Sequence, residues 1–289
     1  MNRNWLWLLL LPLLAACTPS VRAADPGEPT PTPAAYPYPE PDLYLPLAVR
    51  EYPIPPRWQP APGTSWQIQY TGELDTSLNV QIYNLDLFDT PQSVIDSLHQ
   101  QNRRVICYFS AGSWEDWRPD AANFAPELLG NPLEGWQGEQ WLDIRRLDLL
   151  TPLMEARLNL AYQKGCDAVD PDNVNGYTNN TGFPLTAADQ LAYNRFLAQA
   201  AHSRNLAIGL KNDLDQIPDL VNDFDFAVNE ECFTYNECNL LQPFTAANKP
   251  VFGIQYDLAP ETFCPQANAL NLDFLAKHWE LDAWRVACR

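Results

Sequence analysis

The chain has 289 residues, with 36 Asp and Glu against 18 Lys and Arg, for a formal net charge of −18. That balance argues against nucleic acid as a partner and fits a neutral or cationic ligand, since a cleft of one sign attracts the other. Residues 64–289 are long enough to bury one large core and carry neither an internal repeat nor a second linker.

Arg3 precedes an apolar run from Trp5 to Ala16, and Cys17 follows. A short apolar run behind a positive charge, ending in small residues, reads as a secretory signal rather than a membrane span. Leu14-Ala-Ala-Cys17 also resembles the bacterial lipobox. That resemblance implies cleavage before Cys17 and lipid on its thiol. The expected organisation is a signal peptide (1–16), a lipidated Pro-rich tether (17–63) and a working domain (64–289). The expected location is extracytoplasmic, at the cell surface or outer membrane, with the N-terminal lipid as the one membrane contact. Pro29-Thr-Pro-Thr-Pro33 and Tyr36-Pro-Tyr-Pro-Glu-Pro41 favour an extended tether. Six further cysteines are an even count, which favours disulfides in an exported chain. Cys232 and Cys238 are close enough to close a small loop. The pairing of Cys107, Cys166, Cys264 and Cys288 stays open.

Strand-like runs recur through the domain: Trp66–Tyr70, Val80–Asp86, Arg104–Phe109, Asp167–Asp170, Leu206–Leu210, Phe224–Asn229, Pro250–Tyr256 and Ala283–Ala287. Helix-like stretches fall between them. Thr90–Asn102 opens on Thr90-Pro91, Leu147–Lys164 closes at Gly165, Thr186–Arg204 opens on a threonine cap, and Thr262–Trp279 is less regular. Alternation of strand and helix implies a parallel sheet, and eight strands imply a (β/α)8 TIM-type barrel. Thr71 to Asn79 is too short for a full crossover helix, so the first helix is shortened. Because the chain ends at the expected eighth strand, the last helix is missing. An open doubly wound sheet is the alternative, although no glycine-rich phosphate loop follows the first strand.

Cys166-Asp-Ala-Val-Asp-Pro-Asp-Asn-Val174 carries Asp167, Asp170 and Asp172 into a turn. Asp170 and Asp172 are two apart, so they face one side of an extended chain. Val228-Asn-Glu-Glu-Cys-Phe233 is a second acidic strand end. Carboxylates at the C-terminal ends of two barrel strands suggest paired-carboxylate chemistry, whose commonest form is glycoside hydrolysis. The competing reading is a pair of solvated turns, since Asp and Asn are common turn formers. Asp86 ends the second strand and Lys211-Asn212 the fifth, each within reach of sugar hydroxyls. Ser110-Ala-Gly-Ser-Trp-Glu115 is a rim loop, and Ser110 has no histidine partner in a recognisable motif. Trp114, Trp117, Trp136 and Trp141 offer flat faces for sugar rings or pack in the loop itself. No metal-ligand spacing appears.

In order, Trp66-Gln-Ile-Gln-Tyr70, Tyr83-Asn-Leu-Asp-Leu-Phe88, Tyr108-Phe-Ser-Ala-Gly-Ser-Trp-Glu115, Asp167-Ala-Val-Asp-Pro-Asp-Asn-Val174, Gly209-Leu-Lys-Asn212 and Val228-Asn-Glu-Glu-Cys-Phe233 resemble glycoside hydrolase family 114. Members of that family are endo-α-1,4-polygalactosaminidases. The resemblance implies a (β/α)8 enzyme that cuts inside a galactosamine-containing, possibly cationic exopolysaccharide, with no cofactor and no metal. It implies Asp172 as nucleophile or base and Glu230 as proton donor. Asp86, Ser110, Trp114, Glu115, Asp170, Asn173, Lys211, Asn212, Glu231 and Tyr256 are then expected around the substrate. Exchange of roles between Asp170 and Asp172 stays open. Retention of configuration is expected by analogy with α-galactosidase-like barrels, and the expected working form is a monomer. Two alternatives stand beside this: a hydrolase of another α-linked polysaccharide, and a lipoprotein that binds glycan without cutting it.

Overall fold

The computed structural model describes residues 56–289. The expected signal peptide, Cys17 and most of the expected tether lie outside the described residues. Eight strands pair in chain order, all parallel: β1 (Trp66–Gln69), β2 (Ile82–Asp86), β3 (Arg104–Ser110), β4 (Ala168–Asp172), β5 (Ala207–Lys211), β6 (Phe226–Glu230), β7 (Val251–Gln255) and β8 (Asp273–Ala276). Val286–Ala287 adds a short antiparallel ninth strand beside β8.

Alternation of side chains explains why this sheet curls. Ile68, Ile82, Ile106, Ala168, Ala207, Phe226, Phe252 and Leu275, one from each strand, share a single buried interior cluster. The residues between them, such as Tyr83, Val105, Val169, Ile208, Ala227 and Phe274, belong to the outer cluster beneath the helices. Followed upward in steps of two, the inward series turn polar. Ile82 leads to Asn84, Ile106 to Tyr108, Ala168 to Asp170 and Asp172, and Ala207 through Gly209 to Lys211. Phe226 leads through Val228 to Glu230, and Phe252 through Ile254 to Tyr256. One inward phase therefore supplies the core below and the site above.

No ladder bonds join β1 to β8 among the described residues. Side chains seal that seam: Trp66 Nε1 donates to the Asp273 carbonyl at 2.9 Å and Gln67 Nε2 to the Ala283 carbonyl at 2.9 Å. Residues at the start of the domain are also held, since Arg57 pairs with Asp225 at 2.9 Å and Gly63 N donates to Asp273 at 3.0 Å. The last residues assigned to the tether thus pack on the barrel.

Helices α1 (Gln92–Gln100), α2 (Leu147–Lys164), α3 (Ala187–His202), α4 (Ile217–Leu220), α5 (Gln242–Ala246) and α6 (Pro260–Ala269) follow β2 to β7 in turn. Gly165 closes α2 in the left-handed conformation at φ 79°, and Thr186 and Asp189 form a reciprocal capping box at α3. Three expectations change. Residues 70–81 hold no helix at all. The eighth parallel strand is Asp273–Ala276, inside the stretch read as helix Thr262–Trp279. The expected strand Ala283–Ala287 supplies only the antiparallel pair Val286–Ala287. The reason is that β8 is four residues long and buried on both faces, so it shows no alternation. The last helix is indeed absent after β8 among the described residues.

Between β3 and α2 a three-stranded antiparallel sheet (Ser113–Glu115, Glu139–Leu142, Leu129–Pro132) rises from the C-terminal end of β3. All six cysteines of the domain are paired: Cys107–Cys166, Cys232–Cys238 and Cys264–Cys288.

Candidate active site

Asp172, Lys211 and Glu230 end β4, β5 and β6, three neighbouring strands, on the inward phase. Lys211 Nζ lies 3.1 Å from Asp172 Oδ2 and 3.4 Å from Glu230 Oε2. The Lys211 side chain is 3 % exposed, while those of Asp172 and Glu230 keep 19 % and 25 %. Burial opposes the charge on Lys211, yet Asp172, Glu230 and Asp170 outweigh it and hold its pKa above the ordinary lysine value. A permanent ammonium therefore sits between two accessible carboxylates.

Each carboxylate has a tyrosine. Tyr108 Oη donates to Asp172 Oδ2 at 3.1 Å, and Tyr256 Oη donates to Glu230 Oε1. Burial, first of all, and the facing carboxylates keep both phenols protonated, well above the usual tyrosine range. Asn212 sets the height of Glu230: its Oδ1 accepts from Glu230 N at 2.9 Å, and its Nδ2 reaches Glu230 Oε2 at 3.5 Å. Asn212 can do this because it adopts φ 51°, which asparagine tolerates.

Asp170 lies one inward step below Asp172 and is fully buried. Asn84 Nδ2 donates to its Oδ2 at 2.7 Å and Tyr70 Oη at 3.4 Å, while Oδ1 has no partner. Burial pushes its carboxyl up to about 6, against the pull of Lys211. Beside Glu230 opens a cavity of about 330 Å³ lined by Tyr177, Asn212, Asp213, Asp215 and Glu237. Asp213 is 3 % exposed, accepts from Asn194 Nδ2 at 2.8 Å, and has an unpartnered Oδ1. Burial raises its carboxyl to about 8.

A barrel whose strand ends present two accessible carboxylates on one ammonium is built for paired-carboxylate chemistry. Comparison with known proteins agrees. The family model described as glycoside-hydrolase family GH114 matches residues 53–289. The chain belongs to glycoside hydrolase family 114. It is a glycoside hydrolase on a TIM-barrel fold. Among solved structures it is similar to Aspergillus fumigatus Ega3, crystallised in complex with galactosamine, at 43 % identity and TM-score 0.77. That match covers 81 % of this chain and 98 % of Ega3. The glycoside hydrolase domain of PelA from Pseudomonas aeruginosa shares the fold at TM-score 0.62 and 12 % identity, covering 77 % of this chain and 98 % of that one. A search of curated proteins finds no match.

In this family 114 enzyme the other residues expected around substrate divide into two groups. Asp170, Lys211, Asn212 and Tyr256 gather on the carboxylate pair. Asn173 N donates to Asp172 Oδ1 at 2.7 Å, while the side chains of the rest have other partners. Asp86 pairs with the buried Arg118 at 2.8 Å, as does Glu115 at 2.8 Å. Ser110 is buried, 2.6 Å from Ser113 Oγ, and accepts from Asn173 Nδ2 at 2.9 Å. Trp114 turns its indole N–H to the Ala121 carbonyl at 3.0 Å. Glu231 follows Glu230 at φ 63°, with Thr234 as its hydrogen-bond partner. Tyr70, Asn84 and Tyr108 carry no signal of a role in the sequence, though all three continue inward strand phases and point at the carboxylates. Glu139 is equally silent in the sequence; it accepts from Ser113 Oγ at 2.8 Å, and burial pushes its carboxyl up to about 7.

Proposed function

We propose that this enzyme makes internal cuts in an α-1,4-linked, galactosamine-containing polysaccharide, with Asp172 as nucleophile and Glu230 as acid and base. The observation that carries the assignment is the Lys211 ammonium shared by both carboxylates, at 3.1 and 3.4 Å. Those two distances keep the bridged oxygens within about 6.5 Å of each other, near enough for both carboxyl groups to act on one glycosidic bond. Asp172 attacks the anomeric carbon while the Glu230 carboxylic acid gives its proton to the departing oxygen. Water then enters, loses a proton to Glu230 and displaces Asp172, so configuration is retained. Tyr108 and Tyr256 orient the two carboxylates, and Lys211 balances their charge.

Burial supports the choice of Asp172 over Asp170. Asp172 keeps an accessible edge, whereas Asp170 has none and is tied to Asn84. Asp170 then supports the pair from below. A cationic polymer fits the Asp215 and Glu237 carboxylates that line the cavity next to Glu230. The galactosamine complex of Ega3, a relative sharing 43 % of residues, supports the same substrate class. Three disulfides suit an oxidising compartment, in line with the signal sequence ahead of Cys17. On this reading Cys17 carries a lipid and the tether holds a monomeric enzyme off an extracytoplasmic membrane surface.

The test is a digest of defined α-1,4-galactosamine oligomers followed by NMR from the first minutes. The reading predicts products cut from the interior and α-configured at first release. First release of the β-anomer would exclude Asp172 as nucleophile, and uncut oligomers would remove this substrate class.

A further inference from the structure

An aromatic track leaves the carboxylate pair on the Tyr256 side. Tyr256 donates to Glu230, and its ring meets Trp279 edge-on at a centroid distance of 4.6 Å. Trp279 lies 6.4 Å from Trp136, with their planes 27° apart. The two indoles come from separate parts of the chain. Trp136 sits at the tip of the rim hairpin between Gly135 at φ 83° and Gly138 at φ 93°, conformations that hold the turn tight. Trp279 sits in the loop after β8, where Leu281 N donates to the His278 carbonyl at 3.0 Å.

Both indoles remain open to solvent, Trp279 at 53 % and Trp136 at 46 %. An indole is the largest apolar side chain, and leaving two of them half in water gives up burial that a structural role would have used. Adjacent exposed aromatics on the rim of a cleft mark a binding surface. The occupant is set by continuity: whatever runs past Glu230 and Tyr256 next meets Trp279 and then Trp136. Flat, near-parallel indole faces suit the C–H faces of sugar rings.

We propose that Trp279 and Trp136 form successive sugar-stacking subsites for pyranose units of the polymer beyond the cleaved bond. This rests on the glycan-hydrolase reading above. The platform adds binding only when the chain is long enough to reach it, so it acts on KM for long oligomers and leaves kcat nearly untouched. Tyr256, which touches both Trp279 and Glu230, places the platform next to the carboxylate pair.

The experiment measures kcat and KM on α-1,4-galactosamine oligomers of graded length for the parent, Trp136→Ala, Trp279→Ala and the double variant. In parallel, the polymer is titrated into Glu230→Gln, with and without the two tryptophan changes, and indole fluorescence is read. Each substitution is expected to raise KM on long oligomers about three- to tenfold, the usual worth of one aromatic contact. The shortest cleavable oligomer should show no such rise, and the double variant should lose the quenching by polymer. Equal KM at every length, or a loss shared by all lengths and by kcat, would overturn the platform. If the parent cut nothing, the galactosamine-polymer reading would fall. The platform would then stand only if polymer still quenched the indoles in Glu230→Gln, and absent quenching would remove it.

Discussion

Lys211 is the residue on which the site turns. Its ammonium is buried at the end of β5 and is shared by two carboxylates from the strands on either side. Removing one partner from such a cluster costs more than the partner is worth, because the others are left facing each other. Lys211→Met is therefore expected to lower kcat about 10²–10³-fold, the range for a preorganised electrostatic group, in a protein that still folds. Steady-state kinetics beside a melting curve check this. Asp170 differs in kind, since it meets Asn84 and Tyr70 and no open space. Asp170→Asn places an amide against the amide of Asn84, which leaves a donor unsatisfied. Its rate should fall far less than that of Asp172→Asn, and its melting temperature should drop as well.

At the scale of elements, the inward phase of each strand decides what is core and what is site. Gly209 shows the constraint most sharply. A Cβ at that position would meet the Phe226 ring at 2.4 Å, and that ring fills the interior beneath Lys211. Gly209→Ala should cost about 1–3 kcal/mol by overpacking, measured by denaturant unfolding. The same phase explains what could be read from the residues. Asp172, Lys211 and Glu230 were legible because each ends an apolar strand and precedes a turn. Tyr108 and Asn84 were not, because a polar residue in mid-strand gains its meaning from neighbours on other strands: Asn84 pairs in register with Ile106, yet its side chain reaches Asp170 on β4. The eighth strand was hidden for a local reason. Helix α6 ends at Ala269 with Asn271 at φ 59° and no glycine, and the four residues of β8 are buried on both faces. Cys107–Cys166 and Cys264–Cys288 could not be paired beforehand, since each joins residues that only the folded barrel brings near. Removing Cys264–Cys288, which spans 24 residues, should lower stability by about 3 kcal/mol on the chain-entropy scale, read as a fall in melting temperature.

For the whole molecule, the acidic excess extends to the cavity beside the carboxylate pair. The chain carries twice as many acidic as basic residues, and the cavity next to Glu230 is lined by Asp213, Asp215 and Glu237. Asp213 makes that excess visible in stability. Burial raises its folded pKa from the ordinary aspartate value of about 4 to about 8, so the folded state prefers the neutral acid. The stability it contributes is complete below about pH 4, declines as pH rises and is lost once pH passes about 8. Asp213→Asn should remove that decline, so its melting temperature should gain on the parent between pH 5 and pH 9. The central claim, that Asp172 and Glu230 act together on one Lys211 to hydrolyse a galactosamine polymer, is tested most directly by a single comparison. Reducing-end release from α-1,4-galactosamine polymer is measured for residues 18–289 and for its Asp172→Asn, Glu230→Gln and Asp170→Asn variants. The account predicts cleavage by the parent, a loss of at least about 10²–10⁴-fold in the Asp172 and Glu230 variants, and a smaller loss at Asp170. Cleavage that survives Asp172→Asn and disappears in Asp170→Asn would contradict it.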